Sequence, residues 1–171
     1  MPADARRVLL EDSLAAVELV RQFEGAIVDV GSGGGAPGIP LAHALPDREV
    51  VLLEAERRKC EFLERFAPPN VRVIWGRAEV QPTDWAGVAV AKALAPPPVA
   101  AEWCLPLVRV GGAAILWVGP SANADHVARV ARRLAAEPAA GAPGLLVLQK
   151  LAPTPAGFPR RVGVARKNPL D

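Results

Sequence analysis

Short runs of Val, Ile, Leu and Ala alternate along the chain with stretches whose apolar positions recur at helical spacing. Five runs read as buried parallel strands: 26–30 (AIVDV), 50–53 (VVLL), 71–75 (VRVIW), 88–91 (VAVA) and 113–118 (AAILWV). Unbroken apolar runs of this length suit a sheet that is covered on both faces. Helices are predicted between them at 37–45, 56–66, 99–107 and 123–137. The last sets Val127, Ala131 and Leu134 on one face and Arg129, Arg132 and Arg133 on the other. Ahead of the first strand, Ser13 is expected to cap a helix running to Glu24, with Leu14, Val17 and Phe23 turned inward. Residues 95–98 read as a Pro-rich turn and 135–144 as a flexible loop. After Gly144 the pattern changes. LLVLQKL and VGVARK, separated by a Pro/Gly loop containing Phe158, read as two closing antiparallel strands. Such an order predicts an α/β fold: a doubly wound, mostly parallel sheet with a C-terminal antiparallel strand pair, in one domain spanning 1–171.

Composition narrows the class without naming a function. The chain has 171 residues, 51% of them apolar and 22% charged, which suits one globular domain with a proper core. No apolar run approaches the ~18 residues of a membrane span, and no membrane partner is expected. The opening MPADARRVLLEDSL is broken by acids and lacks a signal-peptide core. Cys60 and Cys104 come without a CxxC or a His cluster, so no metal site is expected and the cytoplasm is the default compartment. The net charge of +2 says little, but its distribution says more. From Leu145 onward, Lys150, Arg160, Arg161, Arg166 and Lys167 stand against Asp171 alone, a balance that suits a phosphate backbone.

The strongest local signal is the run Asp29-Val-Gly31-Ser-Gly33-Gly-Gly35-Ala36, directly after the first predicted strand and before a helix. Glycines there let backbone approach a ligand where a Cβ would clash. Glu54, closing the second strand, sits where an acid commonly accepts from ribose hydroxyls. These features indicate an adenosine-containing cofactor held by Gly31, Gly33, Gly35, Ala36 and Glu54. A dinucleotide is the rival, since Gly31, Gly33 and Ala36 formally satisfy G-x-G-x-x-G/A. Two points favour a methyl donor. Asp29 is expected to repel a pyrophosphate and to suit the cationic groups of S-adenosylmethionine. Pro37 and Pro40 remove backbone donors where a pyrophosphate would need them. The turn Gly76-Arg77-Ala78-Glu79 follows the third strand at the edge where ligands bind in this architecture.

DVGSGGGAPGIPLA, LLEAERRKCEFL, VRVIWGRAE, AKALAPPPVAAEWCLPLVRVGG and LQKLAPTPAGFPRRVGVARKNPL together resemble the RsmG (GidB) family of bacterial methyltransferases. The resemblance runs from about Asp12 to the end of the chain. It implies a Rossmann-like class I methyltransferase that uses S-adenosylmethionine to methylate guanine N7 in 16S ribosomal RNA. It also implies cofactor contacts at Gly31, Ala36, Ala78, Glu79 and Lys92. Departures are visible. The family carries Arg where this chain has Lys92, and Lys-Gly where it has Val118-Gly119. Residues 1–24 read as the remnant of an N-terminal helical segment, with Leu9 at the position of the family's His before Asp12-Ser13-Leu14.

No Ser–His–Asp set or paired carboxylates appear, and no catalytic side chain is identified; His43 and His126 are read as non-catalytic. Guanine N7 already offers a lone pair, so positioning and exclusion of water would suffice. Expected RNA contacts are Lys92, Arg160, Arg161, Arg166 and Lys167, with 16S rRNA or the small ribosomal subunit as partner and the protein a monomer. Arg57, Arg58 and Lys59 read as a solvated face, Trp75, Trp103 and Trp117 as core, and Trp85 as a candidate for base stacking. Three other readings stay open: a divergent methyltransferase with another substrate, an inactive RNA-binding paralogue, and an NAD(P) oxidoreductase.

Overall fold

A computed structural model of the chain describes residues 3–171, with side chains from Leu9 onward. Met1 and Pro2, the start of the expected N-terminal remnant, lie outside the described residues. The apolar runs form strands β1 (Ile27–Val30), β2 (Val50–Glu54), β3 (Val71–Trp75), β4 (Ala86–Ala91) and β5 (Val108–Trp117), all mutually parallel. Strands β6 (Ala136–Ala142) and β7 (Leu145–Lys150) complete one sheet in the order β3-β2-β1-β4-β5-β7-β6. Strand β7 runs antiparallel to both of its neighbours.

Alternation along each strand explains why the central runs are apolar throughout. Val28, Val30, Val51, Leu53, Ala89 and Leu116 pack on one face. That face is covered by α5 (Pro97–Cys104) and α6 (Ala124–Arg133). Ile27, Val50, Leu52, Val88, Val90 and Ile115 pack on the other. There they meet α3 (Gly38–Ala44), Leu63 of α4 (Arg57–Phe66), and Leu19 and Val20 of α2 (Val17–Val20).

Several expectations are corrected. The closing antiparallel pair is the hairpin β6–β7, one strand earlier than the sequence pattern suggested. The stretch read as a flexible loop pairs along β7, and its Pro138 is tolerated because β6 is the outermost strand. VGVARK is no strand: residues Val164–Lys167 form the short helix α7. Ser13 does not cap a helix. It lies within α1 (Ala3–Leu14), buried, with Oγ donating to the Leu9 carbonyl four residues back (2.7 Å). Trp75 is 61% exposed on the outer strand β3, not core. Trp85 packs its ring against the core instead of presenting it to solvent.

Lys150 ends β7 in full burial. Its Nζ donates to the Leu105 carbonyl and to Thr154 Oγ1, both at 2.8 Å, and lies 3.3 Å from Asp84 Oδ1. Removing one member of such a set strands the others. Lys150→Met should destabilise the fold by on the order of 3 kcal/mol, read as a lower urea midpoint with an unchanged m-value. An unchanged midpoint would contradict this role.

Candidate functional site

The first strand hands the chain to the glycine run at the sheet's carboxyl edge. The Gly31 amide still bonds the Leu53 carbonyl (2.8 Å), so the loop begins as a continuation of the β1–β2 pairing. It then turns through positive φ at Gly31 (71°), Gly33 (55°) and Gly35 (96°), where a side chain is strained. The three glycines answer different needs. A Cβ at Gly31 would strike Leu94 Cδ1 at 2.3 Å, and one at Gly35 would strike Ile39 Cδ1 at 2.5 Å. A Cβ at Gly33 would meet only the Gly31 carbonyl at 3.8 Å, and one at Gly34 nothing within 4 Å. Those two face open space.

That space is a cavity of about 750 Å³, within the size range of small-molecule sites. Seven of the eight expected cofactor positions line it: Gly31, Gly33, Ala36, Glu54, Ala78, Glu79 and Lys92. Gly35 does not. It packs beneath the loop against Ile39 and Leu63, so its role is to let the chain turn. Leu94, Trp103, Lys59 and Arg77 also line the cavity. The sequence pattern places Trp103 in the core and Lys59 on a solvated face, and nothing in their spacing separates a cavity wall from either.

Glu54 anchors the site. It is 7% exposed, and its two oxygens accept from amides on either side, Oε2 from Gly33 (2.8 Å) and Oε1 from Glu56 (2.8 Å). Each carboxylate oxygen keeps a further lone pair for a ligand hydroxyl. Glu79 accepts from the Gly163 amide (3.1 Å), which brings the C-terminal segment to the cavity rim. Lys92 pairs with Asp12 at the end of α1, and the Asp12 carbonyl accepts from Trp117 Nε1 (3.0 Å). The first helix is thereby fixed beside the cavity mouth.

The expected RNA residues divide. Arg161, Arg166 and Lys167 are exposed, and Arg166 reaches the cavity lining. Arg160 is turned inward. Its Nε and Nη2 donate to the two oxygens of buried Glu102 (2.5 and 2.6 Å), so its guanidinium fork is engaged in fastening the C-terminal segment to α5.

Asp29 also departs from expectation. It is 1% exposed and lies outside the cavity lining, with Oδ2 accepting from the Gly38 amide (2.9 Å) at the start of α3. It fastens the loop. Burial pushes its carboxyl up from 3.8 to about 7, against the lowering effect of the Gly38 bond. The unfolded chain loses this proton first, so the folded chain holds more protons between the two values. Its contribution to stability therefore falls as pH rises from about 4 to about 7, by at most about 1.4 kcal/mol per pH unit. Asp29→Asn keeps the acceptor and should remove this slope. A constant stability difference between the two proteins across that window would contradict the assignment.

Comparison with known proteins agrees with this architecture. The model of the family described as GidB, rRNA small subunit methyltransferase G, matches residues 5–137. Ribosomal RNA small subunit methyltransferase G of Synechococcus elongatus is 37% identical over 195 residues, covering 99% of this chain and 79% of that protein. The protein of the same name from Rubrobacter xylanophilus is 37% identical over 172 residues, covering 85% and 65%. Among solved structures, a TehB-like SAM-dependent methyltransferase from Corynebacterium glutamicum superposes with a TM-score of 0.63 at 18% identity, covering 88% of this chain and 96% of its own. That likeness shows the fold, the Rossmann-like class I methyltransferase architecture. The family match spans well over half of the described sequence, and the chain belongs to the GidB family of rRNA small subunit methyltransferase G proteins.

Proposed function

We propose that the protein uses S-adenosylmethionine to methylate N7 of a guanine in 16S ribosomal RNA. The observation that carries this reading is the Glu54-anchored glycine loop over an open cavity in a chain of this family. The residues fit the methyl donor. Gly33 and Gly34 leave room where any Cβ would intrude, and Glu54 offers acceptors to ribose hydroxyls. Ala78 and Glu79, on the turn after β3, also line the cavity and would let backbone approach an adenine ring.

When bound there, the cofactor would supply an electrophilic sulfonium methyl group to the N7 lone pair. The protein's share is positioning. No side chain has to remove a proton, because N7 attacks with a lone pair that the neutral base already carries. Lys92, held by Asp12, and Arg166 place positive charge at the mouth for the RNA strand. Arg161 and Lys167 extend that charge along the C-terminal segment. Among the described residues, no helix is long and apolar enough to cross a membrane. The same reading has the chain act as one domain, as a monomer and in the cytosol.

The test is methyl transfer from labelled S-adenosylmethionine to unmethylated small-subunit RNA. Label should appear on a guanine, and reduction followed by aniline treatment should cut the strand there, as N7 methylation requires. Cofactor binding without transfer to this RNA, or label at another atom, would refute the assignment.

A further inference from the structure

A second cavity, of about 400 Å³, opens beside the first, and the two share Arg166 in their walls. Its sides come from Pro96 and the first turn of α5, with Pro97 and Pro98, and from the loop after β5, with Gly119 and Ala122. Both segments follow strands at the carboxyl edge that also forms the cofactor cavity. Proline rings and small side chains present flat apolar surface, while polar groups are few, as in sites built for a planar ligand. His126, also in the lining, is already engaged, its Nε2 standing 2.8 Å from the Leu170 carbonyl. Arg166 is exposed and makes no ion pair with a described residue.

Resting on the proposed function, we infer that this second cavity seats the guanine to be methylated and that Arg166 selects it. The reacting nitrogen must meet the methyl donor across the boundary between the two cavities, where Arg166 stands. The edge of guanine that carries N7 also carries O6, an acceptor, whereas adenine has an amino donor in its place. A guanidinium carries only donors. It bonds O6, leaves the N7 lone pair free and meets adenine donor to donor. The base reaches this seat turned out of its stack, with its faces against the prolines and the loop after β5.

Gly119 makes the proposal testable, because a Cβ there meets nothing within 4 Å. Gly119→Trp should fill the seat without disturbing the fold. With S-adenosylhomocysteine bound, guanosine 5′-monophosphate should shift backbone amides at 119, 121–123, 126 and 166, and adenosine 5′-monophosphate should bind about tenfold more weakly. Gly119→Trp should abolish those shifts and RNA methylation yet hold S-adenosylhomocysteine affinity within about twofold. Arg166→Gln should bring the two nucleotides to similar affinity. Shifts elsewhere, no shifts, equal binding of both nucleotides by the wild type, or wild-type kcat/KM in Gly119→Trp would overturn the seat. Loss of S-adenosylhomocysteine affinity in that variant would also overturn it, by making the two cavities one. Guanine binding here without RNA methylation by the wild type would support the seat and refute the function it was drawn from.

Discussion

A single carboxylate joins the parts of this site. Glu54 closes β2, and from there its two oxygens hold the amide of Gly33 on one side and that of Glu56 on the other. The first bond fixes how far the glycine loop rises from the sheet. The second fixes the chain as it enters α4, whose Cys60 thiol bonds the Glu54 carbonyl (3.3 Å). Asp29 fastens the far end of the same loop through Gly38. Within the loop, buried Ser32 adds one bond of its own, Oγ donating to the Asp29 carbonyl (2.9 Å), and Gly33 and Gly34 can expose backbone to the cavity. Two acids hold a loop that turns main chain toward the cavity at Gly33 and Gly34.

The C-terminal segment closes the other side by a series of separate ties. Lys150 and Thr154 meet Asp84 as β7 ends. Arg160 grips Glu102, the Gly163 amide reaches Glu79, and the Leu170 carbonyl meets His126. These contacts lie on α5, on the turn after β3 and on α6, elements far apart in sequence. Their joint effect is to bring α7 to the cavity rim, with Arg166 between the two cavities. A basic side chain on a free tail would sample many positions. Here a buried bidentate ion pair six residues earlier limits them.

The central strands and the glycine loop were legible because their signals are local. A run such as VVLL is apolar whichever face is considered, and Gly31–Gly35 has few alternatives to a turn. Strand β6 was not legible. AEPAAGA has low strand propensity and a proline, and it is a strand only because β7 offers it a free edge. VGVARK misled for the opposite reason: its alternation suits a strand, but Gly163 turns the chain through positive φ (79°) and Val164–Lys167 wind into α7. Ion pairs across long separations were equally invisible. Arg160 reads as a surface cation until Glu102 is found 58 positions away. Asp29 reads as a ligand group until Gly38 is seen to occupy it. Sequence spacing located the cavity; which way each charge turns was decided by tertiary packing.

Calorimetric titration of the wild type and Gly33→Val with S-adenosylhomocysteine, with NAD as the comparison, tests the central claim most directly. The account predicts saturable binding of S-adenosylhomocysteine alone by the wild type. It also predicts at least about 100-fold weaker binding by the variant, whose branched side chain would stand in the cavity at positive φ. Wild-type affinity in Gly33→Val, or binding of NAD instead, would contradict it.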